Sequence, residues 1–362
     1  MPEKLKAGII GATGMVGQRF VTLLDNHPYF EPVRLIASPR SAGKTYEEAL
    51  EGRWKLPLPM PEYARKMTVY NAADVDAAAD GLDLVFCAVD MTKEEVRALE
   101  DAYAKREVAV FSNNSAHRHT PDVPMIIPEI NACHLALIHA QRKRLGTKRG
   151  FVVVKPNCSI QSYVPHITPL LEFGIEKLVV TTFQAISGAG KTFADWPEMV
   201  DNVIPFISGE EEKSEREPLR IWGKLEGDRI VDRTDVPITA QCVRVPVTDG
   251  HLAAIYVSLC DKSVTPEKII ELWQNYKGRP QELELPHAPK QFITYYDDPS
   301  RPQTKLDRDL YGGMGVSAGR LRRDPTGVFD FKFIGLSHNT LRGAAGGAVL
   351  TAELAYREGW LD

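Results

Sequence analysis

The sequence predicts an α/β protein in two parts: a parallel sheet wound on both faces by helices, followed by an α+β part built on a mixed sheet. Three observations carry this prediction. First, "LKAGIIGATGMVGQRFVTLLDNHP" passes from an apolar run through a glycine turn into an amphipathic helical pattern that stops before Pro28. Second, strand-like runs and helical patterns alternate up to "FVVVKPN", the order that parallel crossovers require. Third, the runs beyond that point are long and alternating, as in a sheet with one solvated face.

In the first part, "VRLIAS", "MTVY" and "LDLVFCAV" read as strands. "TKEEVRALEDAYAKR" reads as a helix, because Thr92 is followed three residues later by Glu95 in a capping box. "VAVFSNN" and "FVVVKPN" return as strands. In the second part, "KLVVTTFQAIS", "TAQCVRVPV", "HLAAIYVSLC" and "VFDFKFIGLS" alternate as strands, with "TPEKIIELWQNYKG" as a helix among them. "TLRGAAGGAVLTAELAYREGW" closes the chain as a helix that is small on one side. The proline-rich stretches around 52–62 and 279–303 read as loops over the surface or a neighbouring subunit. The expected division is a dinucleotide-binding domain over 1–156, completed by 341–362, and a second domain over 157–340.

With 362 residues, 43% hydrophobic and 25% charged, the chain can bury two cores. A net charge of -4 with both signs interspersed provides no basic stripe, so no nucleic-acid partner is expected. No run of eighteen apolar residues occurs, and the opening "MPEKLKAGII" carries no apolar leader, so a cytosolic protein without a membrane span is expected. The five cysteines (87, 133, 158, 242 and 260) are odd in number and never spaced CxxC, which argues against disulfides and zinc knuckles. "HRH" at 117–119 lacks a third ligand at helical spacing, so no metal is expected. Cys87 and Cys260 read as buried filler.

"GATGMVG" follows a strand and opens a helix, the setting in which glycines let a backbone approach a pyrophosphate at a helix N-terminus. This makes the first part Rossmann-like. Its candidate cofactor contacts are Gly11, Thr13, Gly14, Met15 and Val16. An NAD site usually ends its second strand in an acid bound to the ribose. Here the strand ends in "LIASPRSAGK", with Ser38, Arg40 and Ser41 where the acid is expected. Glu31 is read as preceding the strand, at its wrong end. Hydroxyls and cations suit a 2′-phosphate, so the expected cofactor is NADP.

Cys158 in "VVVKPNCSIQ" is either a small buried residue or a nucleophile. "CSIQSYVPHITPLLEFG" starts like a helix, and a thiol at a helix N-terminus has its pKa lowered. His251, seven residues after Arg244, could supply a base. Spacing alone leaves the two readings evenly matched.

"GATGMVG", "SNNSAHR", "PNCSIQ", "QAISGAG", "GEEEK", "RVPVTDGH" and "NTLRGAAGG" occur in an order that resembles aspartate-semialdehyde dehydrogenases, most of all the archaeal and fungal branch. The resemblance covers nearly the whole chain. It implies that Cys158 forms an acyl-thioester, that His251 is the acid/base, that Gln184 orients the substrate and that Asn157 supports the site. It implies that Arg244 clamps the substrate carboxylate, that Glu210 meets its ammonium, and that Lys213 and Arg118 bind inorganic phosphate. Glu211 and Glu212 leave the register of that acid open. Ser187, Gly188 and Asn339 are implied as further cofactor contacts, the second domain as the catalytic and dimerisation domain, and a homodimer or homotetramer as the assembly. The related malonyl-CoA reductases share the scaffold but have no substrate ammonium for Glu210 to meet. N-acetyl-glutamyl-phosphate reductases carry a different cysteine loop, and a purely regulatory NADP-binding protein would leave this residue set without a purpose.

Overall fold

The computed structural model describes residues 3–362. Six strands form the first sheet: β1 (Leu5–Ile10), β2 (Phe30–Ala37), β3 (Val69–Asn71), β4 (Leu84–Cys87), β5 (Ala109–Ser112) and β6 (Phe151–Val154). Their order is β3-β2-β1-β4-β5-β6 and every pairing is parallel. Short apolar strands buried on both faces explain the runs without alternation. Helix α1 (Met15–Leu23) follows the glycine turn, and α2 (Lys93–Ala104) starts at the Thr92/Glu95 capping box.

The second sheet runs β10-β7-β11-β14-β13-β12. Its strands are β7 (Ile175–Gln184), β10 (Ile238–Arg244), β11 (His251–Leu259), β12 (Ile293–Tyr296), β13 (Val316–Arg323) and β14 (Phe331–Ser337). The outer pairs β10–β7 and β12–β13 are parallel and the inner pairs antiparallel, so the sheet is mixed. A small hairpin, β8 (Lys224–Glu226) with β9 (Arg229–Val231), stands apart. Helix α3 (Glu210–Ile221) packs on β10, α4 (Pro266–Asn275) on β12 and β13, and α5 (Ala345–Arg357) on α1 and β5. One apolar core lies between the sheets, running from Val85 and Val110 to Val257 and Phe333; another fills the α1/α5 face of the first sheet.

Several expectations need correction. The 279–303 stretch is not all loop, since it contains β12 and a short helical turn at Arg279–Glu282. β13 escaped the pattern because Gly319 and Arg320 interrupt its alternation, with a register shift between Gly319 and Arg322. Cys260 is exposed, not filler, because β11 ends one residue earlier; Cys87 is buried. Glu31 lies inside β2 rather than before it, exposed and at the N-terminal end, away from Ser38.

Among the described residues no helix is long and apolar enough to cross a membrane. The proline-rich stretch is tied to the rest through Glu353 on α5, which is hydrogen-bonded by His27 Nε2, His287 Nδ1 and the His287 N–H. These three side chains lie within 4.8 Å of one another. His27 Nδ1 already accepts the Tyr29 and Phe30 N–H groups, so its proton sits on Nε2, facing the carboxylate rather than leaving a lone pair for a cation.

Candidate active site

The C-terminal ends of the first sheet open onto a cavity of ≈ 590 Å³ whose walls include Gly11, Thr13, Gly14, Ser38, Val89 and Glu95. Gly11 takes φ +84°, and a Cβ there would overlap the Ala88 carbonyl; a Cβ on Gly17 would overlap the Gly11 carbonyl. Gly14 differs, because a Cβ there would meet only the Gly11 carbonyl, at 3.4 Å. Two glycines therefore serve the turn, and the third keeps the cavity side clear where α1 begins without a side-chain cap. Met15 and Val16 are the first residues of α1 and do not line the cavity. Ser38 lines the cavity; Arg40 is exposed beyond its wall, and Ser41 is buried outside the lining. The donor set, free helix amides with a hydroxyl and no acid at the end of β2, fits a phosphorylated dinucleotide.

Past β6, Pro156, Asn157 and Cys158 turn the chain toward the second sheet. The segment after Cys158 is not the regular helix expected. A 3₁₀ turn (Ser159–Ser162), one α-turn (Val164–Ile167) and a second 3₁₀ turn (Thr168–Phe173) replace it, because Pro165 and Pro169 interrupt the hydrogen-bond ladder. The expected lowering of the thiol pKa fails as well. Burial pushes the Cys158 thiol up to about 11, with Glu210 adding to the rise, while Arg118, Arg244 and Lys155 oppose it.

His251 starts β11, with Nε2 3.5 Å from Cys158 Sγ. Its Nδ1 accepts the Ala185 N–H at 3.0 Å, so the neutral ring carries its proton on Nε2, directed at sulfur. Burial, with Arg244 and His338 adding to it, pushes the ring's pKa down to about 3, so it stays neutral at physiological pH. Such a ring donates to a thiolate; it does not take the thiol proton without changing tautomer. Gly188 leaves room beside it, since a Cβ there would lie 3.2 Å from His251 Nε2 and 3.0 Å from Arg244 Nη1. Asn339 donates to Ser187 Oγ at 2.8 Å and accepts the Gly250 N–H at 2.8 Å, locking the residue before His251. Ser187, Gly188 and Asn339 thus stand beside the imidazole rather than in the dinucleotide cavity.

The acids and amides form one network. Asn157 Nδ2 donates to both Glu210 oxygens at 2.9 and 3.0 Å, Gln184 Nε2 donates to Oε2 at 3.2 Å, and Lys213 Nζ to Oε1 at 2.9 Å. Glu210 opens α3 and is buried, whereas Glu211 accepts from Gln241 and the Cys242 N–H, and exposed Glu212 pairs with Arg216. Of the three acids, Glu210 is the one that meets Asn157 and Gln184. Arg244, at the end of β10 opposite Gln184, is buried with Nη1 bonded to the Ala185 carbonyl at 2.7 Å.

Residues 6–138 match the family model described as semialdehyde dehydrogenase, NAD binding domain, and residues 167–342 the one described as semialdehyde dehydrogenase, dimerisation domain. The chain is 41% identical over 351 residues to the aspartate-semialdehyde dehydrogenase of Methanothermobacter thermautotrophicus, spanning 97% of this chain and 98% of that one. The chain belongs to the aspartate-semialdehyde dehydrogenase family. The corresponding Aspergillus fumigatus protein is 41% identical over 366 residues, 99% of each chain. The crystal structure of the Candida albicans aspartate-semialdehyde dehydrogenase with NADP superposes with a TM-score of 0.88 at 36% identity, over 99% of this chain and 100% of that one.

Against the family's expected phosphate site, Arg118 is more constrained than a free anion clamp. It is buried and donates to the Lys155 and Asn113 carbonyls at 3.0 and 3.3 Å and to Glu217 Oε1 at 2.8 Å. It nevertheless lines a polar cavity of ≈ 470 Å³ with Lys213, Arg216, Lys93 and His119 and the acids Glu212, Glu217 and Asp232, a cavity that Cys158 does not line. Glu217 was missed by sequence reasoning. It also accepts the Asn157 N–H, at 2.6 Å, and so fixes the residue before the cysteine. A faint signal existed, since Glu210, Ser214 and Glu217 share one helical face of the charge run, and all three are buried.

Proposed function

We propose that this chain carries out the reversible, NADP-dependent interconversion of L-aspartyl 4-phosphate and L-aspartate 4-semialdehyde through an acyl-thioester on Cys158. The observation that carries the reading is Cys158 Sγ 3.5 Å from the protonated Nε2 of His251, at the edge of the Glu210–Asn157–Gln184 network. Family membership gives the reaction; the geometry supports the roles.

In the biosynthetic direction the Cys158 thiolate attacks the acyl carbon, the C–O bond to phosphate breaks, and phosphate leaves with the bonding pair toward the Arg118 and Lys213 cavity. NADPH, when bound at the α1 turn and Ser38, supplies a hydride. His251 Nε2–H remains directed at Sγ and stabilises the thiolate as the C–S bond breaks and the carbonyl re-forms. Arg244 holds the substrate carboxylate and Glu210 its ammonium, which takes over the charge that Lys213 now satisfies. Splitting one substitution into two steps requires no metal among these residues. The product feeds lysine, methionine and threonine synthesis, as the enzyme's identity implies. The division at 156/157, with residues 341–362 returning to the first domain, assigns cofactor to one side and chemistry to the other. A homodimer or homotetramer through the second domain, working in the cytoplasm, completes the reading.

The test is a spectrophotometric assay of NADPH formation from aspartate semialdehyde, phosphate and NADP. Phosphate-dependent NADPH formation is expected; its absence with correctly folded protein would overturn the assignment.

A further inference from the structure

Lys155 directly follows β6, three residues before Cys158, and is 4% exposed. Its main chain is pinned, with the N–H donating to the Ser112 carbonyl at 2.8 Å and the carbonyl accepting Arg118 Nε at 3.0 Å. Its ammonium makes no hydrogen bond among the described residues. A lysine with a buried stem and no protein acceptor for its ammonium calls for an explanation in its surroundings.

The side chain lies along the start of α5. A Cβ on Gly347 would overlap Lys155 Cε and come 2.9 Å from Nζ, and a Cβ on Gly343 would come 2.8 Å from Cys158 Cβ. Gly343, just before α5, and Gly347, in its first turn, thus clear a groove with Cys158 beside the one and Lys155 beside the other. The charged groups facing Lys155 are Arg342, Cys158, Arg118 and Glu129. Glu129 is already matched by Arg342 in a buried bidentate pair, and Arg118 by Glu217. Those facing Cys158 are Glu210, Arg118, Arg244 and Lys155, with His251 donating from the other side. Glu210 is paired with Lys213. Among the anions facing Lys155, the Cys158 thiolate is the one that no salt bridge engages.

We propose that Lys155 is a positioning residue for the reaction: its ammonium is the counter-charge that stabilises the Cys158 thiolate when it forms. This rests on Cys158 being the nucleophile. Burial holds the ammonium well below the ordinary lysine range and Arg342 and Arg118 add to this, whereas Cys158 opposes it, just as Lys155 opposes the rise of the thiol. When Cys158 is acylated the ammonium loses its partner, and the departing thiolate restores it. The groove therefore favours release of sulfur as well as attack by it.

The experiment measures the rate of Cys158 alkylation by iodoacetamide against pH, read at that site by mass spectrometry, in the wild type and in Lys155→Met. The midpoint should rise by about one unit or more in the variant. Its kcat/KM near neutral pH should fall about tenfold and recover as pH is raised. Coincident alkylation profiles, or an activity loss equal at every pH, would overturn the proposal and leave Lys155 a packing residue. Should Lys155→Met fail to fold, Lys155→Gln carries the same comparison. In wild-type protein carrying labelled lysine, alkylating Cys158 should also shift the Lys155 Cε resonance, and an unmoved resonance refutes the pair. A Cys158→Ser enzyme that keeps turning over would instead refute the nucleophile, a separate outcome from the alkylation profile.

Discussion

Glu217→Gln is the perturbation that best probes how the cysteine loop is held. Glu217 is 1% exposed, and each of its oxygens serves a different donor. Oε1 accepts Arg118 Nη1 at 2.8 Å, and Oε2 accepts the Asn157 N–H at 2.6 Å. A glutamine of the same shape keeps one acceptor and turns the other into a donor that faces a donor. Arg118 loses its counter-charge at the same time. Removing one partner of a buried pair costs about 3–5 kcal/mol. Arg118 keeps its bonds to two backbone carbonyls, so the lower end, about 3 kcal/mol, is expected. That is a large share of a typical stability of about 5–15 kcal/mol, yet it leaves a folded protein. The assay is urea denaturation of the wild type, Glu217→Gln, Arg118→Met and the double variant. The double variant should be clearly more stable than the sum of the single losses predicts, because each partner alone is worse than neither. A Glu217→Gln loss under about 1 kcal/mol, or additive single losses, would refute the argument that this pair anchors Asn157.

Glu210→Gln should lower kcat/KM for aspartate semialdehyde by roughly 10- to 100-fold, with Glu211→Gln and Glu212→Gln near wild type; parallel assays check it, and an unaffected Glu210→Gln contradicts the assignment. NADP should outperform NAD in kcat/KM, and Arg40→Ala, at the exposed rim beyond Ser38, should narrow the gap; equal constants for both cofactors in the wild type would count against a 2′-phosphate site. The pH dependence of stability follows from the histidines that burial pushes down, most of all His166 and His251, to about 3, and His338, to about 4. Their folded pKa values lie below the unfolded value of about 6.5, so the unfolded chain takes up protons that the native state refuses. Stability should be fully present above about pH 6.5 and be lost as pH falls through about 4 to about 3. Urea midpoints across that window check the sign, and a midpoint that stays level or rises on acidification refutes it.

Much of the first sheet was legible because buried parallel strands are short apolar runs and the glycine turn marks where the first one ends. The second sheet was legible where strands alternate, as in β7 and β11. It was hidden in β13, where Gly319 and Arg320 break the period, and in β8 and β9, three residues each. The site was less legible, because its contacts join distant residues: Cys158 with His251, Asn157 with Glu210, Arg118 with Glu217. Nothing in spacing announces a pair separated by 93 positions, so motif order had to supply it. Local reasoning about the thiol failed for a physical reason. A helix terminus was expected to acidify Cys158, but prolines leave only 3₁₀ turns there and burial dominates. Lys155 and Glu217 drew no notice in the sequence, because sequence does not reveal burial.

Replacing Cys158 with serine tests the central claim most directly. The hydroxyl has a far higher pKa than the thiol and cannot supply the anion on which the first step depends. NADPH formation from aspartate semialdehyde and phosphate by Cys158→Ser should fall by orders of magnitude, with the fold intact by circular dichroism and NADP still bound. A folded Cys158→Ser enzyme retaining more than about a tenth of wild-type turnover would contradict the account.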